Sequence, residues 1–166
     1  MATIQDYSEF KIKITPRYTN WWSFRIEFFF KDKPLFNPEI IRQDFYADEY
    51  SRDPLLQKIE EALNCDTPEK KFFWGEWEEE AAITIEYQKY NSMAEDGFFV
   101  FSAFVSTWYF NEGVSNSMHQ PAGLRLVIIE RDVLKKFYTE LNDEMLAIYN
   151  TLSKDQKSGD IGSRPK

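Results

Sequence analysis

Side chains that carry most enzyme and metal chemistry are scarce in this sequence. It contains one cysteine, Cys65, and one histidine, His119. A single cysteine excludes an internal disulfide, and one thiol with one imidazole is too few for a structural zinc site. Carboxylates alone remain available to bind a hard cation. The sequence therefore predicts no disulfide and no structural metal site.

Glycine is also scarce, and none of it forms a recognisable motif. The six glycines lie singly, in predicted turns or near the C-terminus. No glycine-rich phosphate loop, G-x-G-x-x-G fingerprint or G-x-S-x-G nucleophile elbow is present. Because these motifs hold the phosphates of nucleotide cofactors or the nucleophile of many hydrolases, we predict no cofactor.

The chain lacks a segment that is long and apolar enough to cross a membrane. Its most apolar run, Gly97 to Phe110, is shorter than the span of about 20 residues that a bilayer requires, and it contains Ser102, Ser106 and Thr107. The first ten residues also lack the basic and then apolar layout of a signal peptide. We therefore predict a cytoplasmic protein without a membrane association.

The same run, Gly97 to Phe110, predicts the centre of the fold. Both alternating sets of its side chains are apolar, so an extended conformation would present an apolar surface on each face. This is typical of a central strand that is covered on two sides. A buried helix is the alternative interpretation of an apolar run. The β-branched and aromatic content, with Gly97 at the start, favours the strand.

The remaining periodicities predict an α+β domain. Alternating segments such as Glu9 to Thr15 and Trp21 to Lys31 indicate half-buried strands, and Asp53 followed by Pro54 indicates the start of a helix. A long C-terminal helix is predicted by apolar residues at spacings of three and four, namely Leu134, Phe137, Leu141, Met145, Ile148 and Leu152. We expect a mainly antiparallel sheet of about five to six strands, with the long helix and one or two shorter helices packed on one face. Residues 1–152 should form this single domain, and residues 153–166 should form a disordered polar tail.

The negative charge is concentrated in the middle of the chain. The net charge is −8, but residues 38–96 alone carry six basic and sixteen acidic side chains, a local charge of −10. A surface of this sign repels a phosphate backbone, which disfavours nucleic acid as a partner. It attracts basic proteins, although acidic surfaces also serve solubility alone.

A candidate binding patch lies within this acidic segment. It combines two aromatic anchors with a rim of acids, which is the composition of a protein-binding surface, and its members are Trp74, Glu76, Trp77, Glu78, Glu79 and Glu80. The alternative is that both tryptophans are core residues of an edge strand. Paired carboxylates at this spacing also fit a glycosidase, but such triplets arise freely in a chain with 28 acids.

A second candidate is a polar site in the predicted loop from Asn111 to Gly123. Any mechanism with a histidine base must use His119, which lies near Ser115 and Ser117. The alternative is an ordinary loop histidine, because no partner motif accompanies it.

The two candidates correspond to two functions. In size, acidity and lack of a catalytic motif, the chain resembles the immunity proteins that protect bacteria from nuclease toxins, which are small α+β proteins that neutralise a basic enzyme. The resemblance implies a non-catalytic acidic protein-binding module that inhibits a basic protein or toxin. The alternative is a small-molecule-binding domain or hydrolase with a pocket between sheet and helix.

Overall fold

A computed structural model describes residues 1–19, 22–36, 44–46, 53–75, 81–89, 97–106 and 121–159. These residues form nine strands and three helices. The strands are β1 (Ala2–Gln5), β2 (Phe10–Tyr18), β3 (Trp22–Phe30), β4 (Lys33–Pro34), β5 (Asp44–Tyr46), β6 (Lys71–Gly75), β7 (Ala81–Gln88), β8 (Phe98–Ser106) and β9 (Pro121–Ile128). The helices are α1 (Asp53–Leu63), α2 (Arg131–Thr151) and α3 (Lys154–Gly159).

The strands form two antiparallel sheets. In the first sheet the order is β1-β2-β3, and both β4 and β5 pair with β3. The second sheet has the order β6-β7-β8-β9. Every described pairing is antiparallel. β1 is an end strand of the first sheet, and β9 is an end strand of the second.

The inward faces of both sheets share one core with the two longer helices. Phe24 of β3 meets Trp74 of β6 edge to face, with ring centroids 5.5 Å apart, so the sheets touch directly at this point. Phe101 of β8 makes a similar contact with Phe137 of α2, also at 5.5 Å. Helix α2 packs against β1, β2 and β9, whereas α1 packs against β6, β7 and α2. The helices thus fill the space beside and between the sheets.

Arg131 joins several of these elements at the start of α2. Its guanidinium donates hydrogen bonds to the carbonyl oxygens of Leu63, the last residue of α1, and of Cys65, two residues beyond it. Carbonyls at the end of a helix lack helical donors. The guanidinium also lies over the rings of Tyr87 and Phe99, with its central carbon 5.5 and 5.2 Å from the centroids. One side chain therefore connects α1, α2 and the second sheet.

The predicted fold class is confirmed, but the described strands are more numerous than predicted and form two sheets. The α+β composition, the antiparallel pairing and the long C-terminal helix are all present, and Leu134, Phe137, Leu141 and Met145 are buried as expected. The described residues, however, form nine strands in two sheets instead of five to six in one, and the helices do not cover one face of a single sheet. Alternation identifies which face of a strand is buried, but it does not identify the strand's partner.

The run from Gly97 to Phe110 is a central strand as far as it is described. β8 pairs with both β7 and β9, and the side chains of Phe99, Phe101, Ala103 and Val105 are buried in the core. On its other face Val100 and Ser102 are also buried, at 6% and 8% exposure. Residues 107–110 lie outside the described part of the chain.

Residues 154–159, within the segment predicted as a polar tail, form helix α3. Helix α3 begins at Lys154, directly after α2, and the Tyr18 hydroxyl donates to the carbonyl oxygen of Gln156 at 3.3 Å. Residues 160–166 lie outside the described residues. Of the helices in the described part, none is both long and apolar enough to cross a membrane.

Candidate functional site

Trp74, the first aromatic residue of the predicted aromatic and acidic patch, is buried. Trp74 is only 5% exposed, because it alternates with Phe73 along β6 and faces the core, where it meets Phe24. Its indole therefore does not belong to a surface that a partner can reach. The alternation of buried Phe72 and Trp74 with exposed Lys71 and Phe73 is the signal that indicates this orientation.

The other predicted site residues lie outside the described residues. They are Glu76, Trp77, Glu78, Glu79 and Glu80 of the patch and Ser115, Ser117 and His119 of the polar loop. Within the ranges that are described, no three His, Cys, Asp or Glu side chains come together as a metal site.

A cavity of about 660 Å³ opens between the end strands of the two sheets. We call it the β1–β9 groove. One wall is formed by β1 and the turn after it (residues 1, 3 and 5–7), and the other wall is formed by the end of β9 and the link to α2 (residues 127–130). The first half of α2 forms the third side through Val133, Lys136 and Glu140. Two sheet edges and one helix therefore converge on a single opening.

The groove carries an unusual share of the exposed apolar surface. Four of the seven large apolar side chains that are exposed in the described part of the chain line it. They are Met1 and Tyr7 on one wall, each 70% exposed, and Val127 and Ile129 on the other, 45% and 49% exposed. Clustered exposed apolar side chains indicate an interaction site more strongly than the same residues scattered singly.

The charged groups of the groove are mainly acidic. Asp6, Glu130 and Glu140 line it together with two cations. One is Lys136, which lies 3.8 Å from Glu140 in an exposed pair, and the other is the amino group of Met1, which pairs with an acid of α2. No ion pair with a cation is found for Asp6 or Glu130 within the described ranges. Two carboxylates at the opening therefore remain available to a cation from outside.

Local structure explains how these two carboxylates are held. Asp6 begins the turn from β1 to β2, and its Oδ1 accepts hydrogen bonds from the backbone amides of Ser8 and Phe10, at 2.9 and 3.2 Å. Glu130 precedes the first residue of α2 in an extended conformation, with φ −95° and ψ 121°. Both positions are set by backbone structure, so the two acids stay on opposite walls.

Among the described residues, one hydrogen bond crosses the mouth of the groove. The Tyr7 hydroxyl donates to Oε1 of Glu130 at 2.8 Å, and both residues are exposed. This hydrogen bond, with the negative charge of Glu130, raises the pKa of the Tyr7 hydroxyl above its usual value. The contact joins residues that are far apart in sequence without closing the opening between them.

Sequence patterns indicated neither β1 nor the groove. β1 is four residues long, which is too short for an alternating pattern to be distinctive, although Ala2 and Ile4 do alternate with Thr3 and Gln5. The groove depends on two sheet edges that meet only in the folded chain.

Comparison of this chain with protein-family models, with curated proteins and with solved structures found no match. Its site is therefore interpreted from its own geometry.

Proposed function

We propose that this protein is a non-catalytic module that binds a basic protein in the cytoplasm through the β1–β9 groove. The observation that carries the proposal is the combination of exposed apolar side chains with two carboxylates, Asp6 and Glu130, for which the described residues supply no cation. Apolar contact supplies affinity at such a site, and the charges select and steer the partner.

The overall charge supports a basic partner. The protein carries −8, and the field of an acidic surface raises the rate at which basic partners arrive. Neutralisation of a basic protein is the activity of the immunity-type inhibitors that the chain resembles in size and acidity. The acidic segment Glu76 to Glu80 remains a second candidate contact for the same partner.

The exposure of the groove favours a protein segment over a small molecule. Its volume falls within the range of about 300 to 1,000 Å³ that is usual for small-molecule sites. Such sites, however, enclose most of their ligand, whereas Met1 and Tyr7 are 70% exposed at this opening. A small-molecule-binding domain or hydrolase remains the second candidate function on the ground of volume alone.

Charge neutralisation in the groove tests the proposal. The double variant Asp6→Asn and Glu130→Gln keeps both side-chain shapes, and the amide oxygen introduced at position 6 can still accept the backbone amides of the turn. The probe is a capped peptide of about eight residues, within the usual strand length, in which lysine and valine alternate. The acidic counterpart has glutamate in place of lysine. Binding is measured by isothermal titration calorimetry at low and high salt, with the protein tagged only at its C-terminus because Met1 lines the groove.

We expect the basic peptide to bind more tightly than the acidic one, and we expect the double variant and high salt to weaken it. A matched control, Glu60→Gln with Asp143→Asn, removes the same charge from exposed helix positions outside the groove. Equal binding of the two peptides, or equal losses in the double variant and its control, would contradict the proposed site.

A further inference from the structure

The groove exposes an unpaired strand edge. Among the described residues, β1 pairs only with β2, so its other edge has no strand beside it. Thr3 and Gln5 of β1 line the groove, which places this free edge inside it. A free edge presents backbone donors and acceptors that another strand can use.

The hydrogen-bond pattern identifies which residues of β1 face the groove. The Asp6 amide donates to the Phe10 carbonyl at 3.2 Å, in the register that pairs Gln5 with Lys11. In an antiparallel pair, residues alternate between those bonded to the partner strand and those whose backbone groups point away. Asp6, Ile4 and Ala2 therefore bond towards β2, and the amides and carbonyls of Thr3 and Gln5 point to the free edge.

The side chains around this edge indicate the chemistry of the strand that would fit. An added strand places successive side chains on opposite faces. Apolar residues on one face can contact Val127 and Ile129, whose exposed side chains form the opposite wall. Basic residues at the alternate positions can pair with the carboxylates of Asp6 and Glu130, which have no cation partner among the described residues.

We propose that the basic partner adds a strand to the free edge of β1, with apolar and basic residues alternating along it. This inference rests on the proposed function and specifies how the partner binds. Main-chain hydrogen bonds to Thr3 and Gln5 supply affinity in this mode, and the groove walls select the side chains.

Amide hydrogen exchange measured by NMR tests the pairing directly in the unmodified protein. With the lysine–valine peptide at saturation, the amides of Thr3 and Gln5 should exchange at least about tenfold more slowly, because new backbone hydrogen bonds protect them. The amide of Ile4 is the internal control, because it already bonds to β2. Saturation with unchanged exchange at Thr3 and Gln5 would overturn the strand addition.

A proline in the free edge provides a second test. Thr3→Pro removes an amide that points away from β2, and proline is tolerated at such edge positions. It should reduce peptide affinity by about tenfold, close to the upper end for one lost hydrogen bond. Thr3→Ala, which keeps the amide but shortens a side chain of the groove wall, should lose much less affinity than Thr3→Pro. Equal affinity in both variants, with melting temperatures that confirm folding, would overturn the proposal.

The results of these experiments distinguish the proposed strand addition from the proposed binding of a basic partner. If the basic peptide binds and responds to Asp6→Asn with Glu130→Gln but protects neither amide, the groove binds basic partners in another mode and the strand addition is wrong. If neither the basic nor the acidic peptide binds, both the proposed function and the proposed strand addition are wrong. If the protein alone sediments as a dimer that Thr3→Pro converts to a monomer, a second copy occupies the edge and the proposal is overturned.

Discussion

Two adjacent residues at the start of α2 show how differently its two sides are built. Arg131 points towards α1 and the second sheet, where it donates to the last carbonyl of α1 and to the Cys65 carbonyl beyond it, and covers two aromatic rings. The Glu130 side chain points towards the turn after β1, where the Tyr7 hydroxyl is its one hydrogen-bond partner among the described residues. The Arg131 side is a packed junction of three elements, whereas the Glu130 side is an open groove.

The difference separates residues that hold the fold from residues that are free to bind. On the Arg131 side, polar groups are satisfied internally and the neighbouring rings of Tyr87 and Phe99 are buried. On the Glu130 side, apolar side chains are exposed, and within the described residues one edge of β1 has no strand beside it. Substitutions on the first side should therefore change stability, and substitutions on the second side should change binding.

The largest effect is expected in the core beneath the Arg131 side. Phe101 is fully buried and contacts Phe137 edge to face. Phe101→Ala should lower the free energy of unfolding by about 3 to 5 kcal/mol, because it leaves a cavity. Urea denaturation measures this loss. Phe73→Ala on the exposed face of the same sheet, where the ring is 62% exposed, should cost less than about 1 kcal/mol; equal losses would contradict the assignment of inner and outer faces.

Arg131→Ala should have the next largest effect. It removes a charged donor from the Leu63 carbonyl, which ends α1, and from the Cys65 carbonyl beyond it, and we expect a loss of about 1 to 2 kcal/mol for a partly exposed group. Arg131→Lys should recover only part of this, because an ammonium lacks the planar fork that bridges two carbonyls. Asp66, which lies 3.5 Å from Arg131 and is 92% exposed, supplies the control. A loss in Asp66→Ala as large as that in Arg131→Ala would mean that the ion pair, and not the helix cap, stabilises the junction.

Binding on the Glu130 side should respond to charge with little change in stability. The groove variant, Asp6→Asn with Glu130→Gln, should slow association with a basic partner, and each change should alter the free energy of unfolding by no more than about 0.5 kcal/mol. A second variant changes Glu76, Glu78, Glu79 and Glu80 to Gln. Surface plasmon resonance of both variants identifies which acids the partner contacts. An unchanged association rate in the groove variant, with a slower one in the second, would move the interface to the acidic segment.

The smallest effect concerns the hydrogen bond between Tyr7 and Glu130. Because this bond raises the pKa of Tyr7, the folded state retains the phenol proton at a pH where the unfolded chain has lost it. Its contribution to stability is complete below the ordinary tyrosine pKa of about 10 and is lost as the pH rises through the folded value. NMR titration of the Tyr7 ring should show a lower pKa in Glu130→Gln. An unchanged pKa would indicate that the bond does not form in solution.

Much of the secondary structure could be predicted because it depends on local spacing. β3 covers Trp22–Phe30, within the segment Trp21 to Lys31 that alternation indicated, and α1 begins at the Asp53-Pro54 signal. The candidate site could not be predicted in the same way. With its acidic neighbours in the sequence, Trp74 fits the pattern of an exposed aromatic residue in a binding patch. Its position on β6, however, directs its side chain into the core.

The sequence by itself determined the α+β class, the long amphipathic helix α2 and the inward face of most strands, because periods of 2 and 3.6 residues are local properties. Only the tertiary structure decided that the strands divide into two sheets and that the edges of β1 and β9 face a common opening. Strand pairing joins residues that are distant in sequence, and no local pattern specifies which edge stays unpaired. The groove exists because the two sheets, which do not pair with each other in the described part of the chain, converge on one helix.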